Sequence, residues 1–265
     1  MIWIQQLQLQ SQHRTICNKM YLFALGISCI PDFPIKYKKQ MAKLYLVRHA
    51  QASFGAANYD KLSELGLKQS TYIPSHFSDD PTVSRVLYRG DMIRHEETAD
   101  YSFTGLKALI LPGLNEFDHM NVLEVHQPLI HDREKMTEFV MNQKDPKQFI
   151  EDEFRLAMLR WMNEEGTSSY RETFRDFKTR TLDTIQDIIT TARKEKQKEV
   201  IVVTSGGVIS LYMTVLNEMP QERMIELNQH IANTSVTSLL FNDKKTTLSY
   251  YNNFSHLPKD MVTFM

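Results

Sequence analysis

Leu44-Tyr45-Leu46-Val47-Arg48-His49-Ala50-Gln51-Ala52-Ser53 is the stretch whose reading decides the fold. Its first four residues are apolar or aromatic without alternation, which suits a strand buried on both faces. The run ends on an arginine and a histidine. Open α/β sheets hold their sites at the carboxyl ends of strands. A guanidinium and an imidazole at such an end suit an anion site that contains a nucleophile. A solvated strand end is the plainer reading of the same pair, and three other places in the chain weigh against it.

Downstream, strand and helix patterns alternate, which argues for a mostly parallel sheet covered on both faces. Residues 55–62 read as a loop. A helix is expected from Ser63 to Phe77, kinked or ended early by Pro74. Arg85–Tyr88 is the next strand. Asp91 sits where a helix cap belongs, and Met92, Ala99 and Phe103 follow at helical spacing. Ala108–Leu111 is a third strand, closed by Pro112-Gly113. Residues 118–170 break the alternation and read as a helical insertion, with Ile150, Phe154, Met158 and Trp161 on one face. Insertions at the site end of a sheet often act as lids. Glu172–Lys194 is a long amphipathic helix. Glu199–Thr204 is a strand, and Ser205-Gly206-Gly207 turns into a helix reaching Leu216. Thr234–Phe241 and Thr246–Tyr251 form a hairpin around Asn242-Asp243.

Upstream, residues 1–40 differ from the rest. They carry a Gln-rich start, an apolar run from Met20 to Ile30, then Pro31, Pro34 and the basic residues Lys36, Lys38 and Lys39. One reading is a secretory leader. The favoured reading is that translation starts at Met41. Either way 1–40 is an extension outside the chemistry and 41–265 is the domain. Both cysteines, Cys17 and Cys29, precede Arg48. Thiol catalysis or a disulfide framework is thereby excluded from the domain. With 42% hydrophobic and 24% charged residues and a net charge of -1, the chain reads as an ordinary globular protein. Nothing in it suggests nucleic acid or a membrane-spanning segment. The expected location is the cytoplasm.

Four strand ends carry polar residues. The first gives Arg48 and His49, and the second gives Arg89, Asp91 and Arg94. The third gives Asn115 and Glu116, and the fourth gives Thr204, Ser205, Gly206 and Gly207. If these ends converge they form a pocket with arginines, an imidazole and a carboxyl group. Arginine forks match phosphate oxygens, and glycines at a helix start let backbone N–H groups approach an anion. An imidazole among guanidinium groups stays unprotonated and nucleophilic. A carboxylic acid beside a phosphate can protonate a leaving alkoxide. Together these groups describe phosphoryl transfer through a phosphohistidine.

Five segments in order resemble motifs of the histidine phosphatase superfamily, which includes cofactor-dependent phosphoglycerate mutase. They are Leu46-Val47-Arg48-His49, residues 59–66, residues 91–99, Leu114-Asn115-Glu116 and residues 202–209. The resemblance implies a three-layer α/β/α sandwich with a mostly parallel central sheet. It implies that His49 is the phosphorylated nucleophile and Glu116 the proton donor. It implies that Arg48, Arg94, Ser205 and Gly206 bind the substrate's phosphoryl group, without a cofactor or metal. The partner expected is a small phosphorylated substrate, and a homodimer is left open. Phosphatase is favoured over mutase, because the insertion shows no basic cluster to retain a reorienting sugar acid.

Three positions depart from the pattern. Ser205 stands where the last motif has a second histidine, Ala50 follows the nucleophile in place of glycine, and Gly55 replaces an asparagine. A neutral serine donor in place of a charged one costs about 1–2 kcal/mol, or roughly tenfold in rate. His119 is the sequence's candidate to compensate. Two alternatives stay open: a non-catalytic phosphoanion-binding protein, and a serine hydrolase with Ser205, Asp243 and His256 in the order of α/β-hydrolases. His126, His131 and Asp132 read as a solvated lid face rather than metal ligands. His95 reads as a surface group or a neighbour of the site, and His230 and His256 as structural.

A chain beginning at Met41 is expected to melt at the same temperature as the full chain in a thermal-shift assay. A loss of several degrees would mean that residues 1–40 dock on the domain.

Overall fold

In the computed structural model, the residues described are 41–53, 60–78, 80, 82–164 and 169–264. The 1–40 extension and Gly55 lie outside them. The first strand, β1 (Ala42–Arg48), is buried on both sides as its composition demands. Leu44 and Leu46 face one apolar cluster, and Tyr45 and Val47 face another. This is the alternation of a strand with helices on both faces.

Among the described residues the sheet has six strands in the order β3-β2-β4-β1-β5-β6. Besides β1 they are β2 (Arg85–Arg89), β3 (Ala108–Ile110), β4 (Glu199–Thr204), β5 (Val236–Phe241) and β6 (Thr246–Asn253). β1 through β4 are mutually parallel. β5 runs antiparallel to both β1 and β6. In register, Arg48 lies opposite Thr204, and Arg89 opposite Val203. The strand ends that carry Arg48-His49, Arg89 and Thr204-Ser205 therefore sit side by side.

The described helices are α1 (Glu64–Ser70), α2 (Ile93–Ser102), α3 (His119–His126), α4 (Arg133–Met141), α5 (Pro146–Asn163), α6 (Phe174–Lys194), α7 (Gly206–Leu216) and α8 (Arg223–His230). Helices α5, α6 and α7 supply Met158, Trp161, Phe177, Ile185 and Ile209 to the larger cluster. Ile73, Ala99 and Phe103 cover the other face. The result is a three-layer α/β/α sandwich.

Several elements differ from the expectation. The helix expected over 63–77 stops at Ser70, and Pro74 opens a separate 3-10 turn at Ile73–His76. A proline cannot donate an amide hydrogen within a helix, but it is tolerated in a first turn. Asp91 does not cap α2. Asp60 does, accepting the Ile93 N–H at 2.7 Å, while Asp91 pairs with Asn115. Ile150 points to solvent, although Met158 and Trp161 on the same helix are buried. Helix α8 has no counterpart in the sequence reading. It starts without a capping side chain, and only Met224 and Ile225 are buried on it, so its signal is short and weak.

Candidate active site

Position comes first from the backbone. The His49 N–H donates to the Thr204 carbonyl at 2.8 Å, which extends the β1–β4 pairing past the strand end. The next amides leave the sheet and are caught by side chains. Ala50 N–H donates to Thr98 Oγ1 on α2, and Gln51 N–H to Gln69 Oε1 on α1. The His49 carbonyl accepts from Asn233 Nδ2 at 3.2 Å and from the Thr234 amide at 3.4 Å. Thr234 adopts a φ of 60°, a left-handed conformation that is unfavourable for a β-branched residue. Such strain persists where surrounding contacts hold the backbone firmly, commonly at functional sites.

The His49 ring is buried, and Nδ1 lies 2.7 Å from the Ala50 carbonyl oxygen. A carbonyl can only accept, so Nδ1 carries the hydrogen. In the neutral ring Nε2 then keeps its lone pair. The ring is neutral: burial holds its pKa well below the ordinary imidazole value, and the charges of Arg94 and Arg48 and the nearby His95 add to the effect. The bond to Ala50 pulls weakly the other way.

Both arginines are held in place. Arg94 donates to Asp60 Oδ1 at 2.7 Å, so Asp60 caps α2 and fixes its first arginine together. The Arg94 Nε is buried without a hydrogen-bond acceptor among the described residues. Arg48 donates from Nη1 to the carbonyls of Ile231 and Phe264, which ties the C-terminal segment behind the site. Arg89 is not part of the anion site. Its guanidinium is spent on Glu96 and on the Gly90 carbonyl.

Glu116 reaches the site on a loop that three contacts set. Thr204 Oγ1 donates to the Leu114 carbonyl at 2.6 Å. The amide of Gly207, in the first turn of α7, donates to Glu116 Oε2 at 3.0 Å. A Cβ on Gly207 would lie 2.2 Å from Glu116 Oε1, so only glycine permits this approach. The third contact is Arg180 on α6, which sequence reasoning missed. It donates to the carbonyls of Gly113, Asn115 and Glu116 and is itself oriented by Glu172. An arginine in the middle of an amphipathic helix reads as surface from sequence, because its partners are backbone atoms 64 to 67 residues away.

Ser205 is fully buried, and its Oγ lies 2.7 Å from Nε2 of His95. His95 is fully buried as well, so of its two readings the neighbour of the site fits and the surface group does not. The imidazole beside Ser205 is therefore His95. His119, the sequence's candidate, lies close enough to feel the charges of Glu116 and Arg94. Ser205, Asp243 and His256 do not assemble. Ala42 pairs with Phe241 and Val47 with Val236, so the Asn242-Asp243 turn is at the far end of the sheet from Ser205. Backbone at Ser205 is ordinary extended chain, φ -113°, not the strained turn of a nucleophile elbow. His256 packs against His76 instead. His126 pairs with Glu153, and Asp132 caps α4. No group of three or more metal-ligating side chains occurs among the described residues. No described helix is long and apolar enough to cross a membrane.

These residues can be compared with known proteins. The family model for the histidine phosphatase superfamily, branch 1, matches residues 44–254. A metal-independent phosphoserine phosphatase of Arabidopsis thaliana is 25% identical over 230 residues, covering 84% of this chain and 86% of that protein. A phosphoserine phosphatase from Entamoeba histolytica, solved with phosphoserine, superposes with a TM-score of 0.56 at 15% identity, covering 82% of this chain and 99% of that one. Phosphoglycerate mutase from Bacillus anthracis gives 0.54 at 19% identity, with 82% and 95% coverage. This chain belongs to the histidine phosphatase superfamily.

The buried neutral imidazoles make a linkage prediction. Both His49 and His95 have lowered values, chiefly through burial. The unfolded chain takes up their protons first, so their contribution to stability is full above about pH 6.5 and is lost as pH falls below it. From pH 6.5 to 5.5 the two together should remove about 2 kcal/mol of unfolding free energy. Urea titrations of the wild type and of His95→Gln across this window test it, and the variant should lose about 1 kcal/mol less.

Proposed function

We propose that this protein hydrolyses small phosphomonoesters through a phosphohistidine on His49, with Glu116 as the acid and base. The observation that carries the reading is the His49 ring itself, neutral, with Nδ1–H tied to the Ala50 carbonyl and Nε2 left as the lone-pair nitrogen. Nε2 attacks phosphorus, forming the N–P bond as the P–O bond to the leaving alkoxide breaks. Glu116 in its acid form gives its proton to that alkoxide and becomes a carboxylate. It then takes a proton from water as the water attacks phosphorus, the N–P bond breaks, and inorganic phosphate leaves. The tie to Ala50 stabilises positive charge that develops on the ring when Nε2 becomes substituted.

Arg94 and Arg48 supply charge beside the transferring group, where preorganised donors lower the barrier. The buried Arg94 Nε, without an acceptor among the described residues, is a donor that a phosphoryl oxygen would satisfy. The Gly207 amide orients the Glu116 carboxyl group. The Arabidopsis and Entamoeba proteins, both phosphoserine phosphatases, support a small phosphorylated alcohol as substrate class. They also support a phosphatase over a mutase, and the metal independence of the Arabidopsis protein supports a reaction that needs no metal.

Two leaving groups test the role of Glu116. Glu116→Gln should slow hydrolysis of an alkyl phosphate by about a hundredfold or more, yet slow p-nitrophenyl phosphate by less than about tenfold, because that phenolate leaves with little help. Arg180→Met should reproduce the same split more weakly, since it frees the loop that carries Glu116. Equal slowing of both substrates by Glu116→Gln would make the residue structural.

A further inference from the structure

Ser205 stands where the resembled motif has a histidine, and a buried imidazole from another element, His95, lies beside it. Ser205 occupies the motif position at the end of β4. Its Oγ is bonded to Nε2 of His95, which arrives from the opening turn of α2. The rings of His49 and His95 are 5.7 Å apart. Close packing of His95 is built into the neighbouring backbone. A Cβ on Gly90 would stand 2.3 Å from His95 Nδ1, so a glycine is needed there to admit the ring.

The environment also decides which nitrogen carries the hydrogen. His95 Nδ1 is buried without a hydrogen-bond partner among the described residues. A buried N–H without an acceptor is rarer and costlier than an unfilled acceptor. The hydrogen therefore sits on Nε2 and is donated to Ser205 Oγ. With Oγ accepting from His95, the serine's own hydrogen is left to donate elsewhere. Burial and the charges of Arg94 and Arg89 keep the ring neutral.

We infer that His95 and Ser205 act as a relay that replaces the missing histidine: His95 fixes Ser205, and the Ser205 hydroxyl donates to an oxygen of the phosphoryl group in transfer. Ser205 is the group that touches substrate, and His95 is a positioning residue that acts through it. Polarising one donor through another strengthens it in a low-dielectric site. The pair thus recovers part of what a single charged donor would supply. The inference rests on the phosphohistidine reading given above.

Steady-state kinetics of the full chain with p-nitrophenyl phosphate test the relay. Ser205→Ala and His95→Ala should each lower kcat by about tenfold with KM within about twofold. The double alanine variant should be no slower than Ser205→Ala alone, because one relay has been removed only once. His95→Ala combined with Ser205→His, which returns the imidazole to the strand end, should recover most of the loss. Orthovanadate inhibition should weaken in Ser205→Ala by the same factor as kcat, while inhibition by inorganic phosphate stays unchanged.

Ser205→Ala leaves His95 packed, so it decides the matter even if His95→Ala unfolds. A wild-type kcat in Ser205→Ala overturns the inference. So do losses that multiply in the double alanine variant. His49→Ala, measured alongside, separates the two levels. If it retains turnover, the phosphohistidine reading and the relay fall together. If it is inactive while Ser205→Ala is unimpaired, the relay alone falls.

Discussion

Everything at this site depends on the hydrogen bond from His49 Nδ1 to the Ala50 carbonyl, 2.7 Å long and buried. It selects the tautomer, while burial and the two guanidinium groups around the ring keep Nε2 unprotonated. That bond exists only because residues 49–51 are held in one path. The Thr204 carbonyl fixes the His49 amide, Thr98 the Ala50 amide and Gln69 the Gln51 amide. One partner comes from the sheet and one from each of two helices. Gln69 also donates to Met261 and Thr263, so the last residues of the chain are drawn into the same scaffold.

Glu116 is positioned independently of His49. Glu116 has no regular secondary structure of its own. Its loop is hung from β4 by Thr204, from α7 by Gly207 and from α6 by Arg180. Helix α6 is long and strongly amphipathic, and its inward face includes the fully buried Phe177 and Ile185. Those apolar residues fix the helix against the core, and the core in turn fixes Arg180. A buried apolar face thereby determines where a carboxyl group stands.

Much of the architecture is legible in the sequence because its signals are local. An unbroken apolar run gives β1, a long period of 3.6 gives α6, and Asn242-Asp243 between two alternating runs gives the β5–β6 hairpin. The convergence of Arg48, His49, Arg94, Glu116 and Ser205 follows from order along the chain and from the rule that parallel strands end on one side. What was not legible depends on contacts remote in sequence. Asp60 caps a helix 33 residues away, so Asp91, next to that helix, took the role on paper. Arg180 serves backbone carbonyls, which leave no trace in a sequence. His95 is adjacent to Arg94 but buried, because Gly90 and the end of β4 make room for it. No local pattern reports that space.

The proposed reaction requires a covalent bond between His49 Nε2 and phosphorus. The direct measurement is to quench the full chain during turnover of a radiolabelled phosphomonoester and map the label by mass spectrometry. The expected result is a label on His49 that is stable in alkali and lost in acid, as a phosphoramidate is, and that is absent from His49→Ala. A label that resists acid and maps to Ser205, or unimpaired turnover with no label on His49, would contradict it.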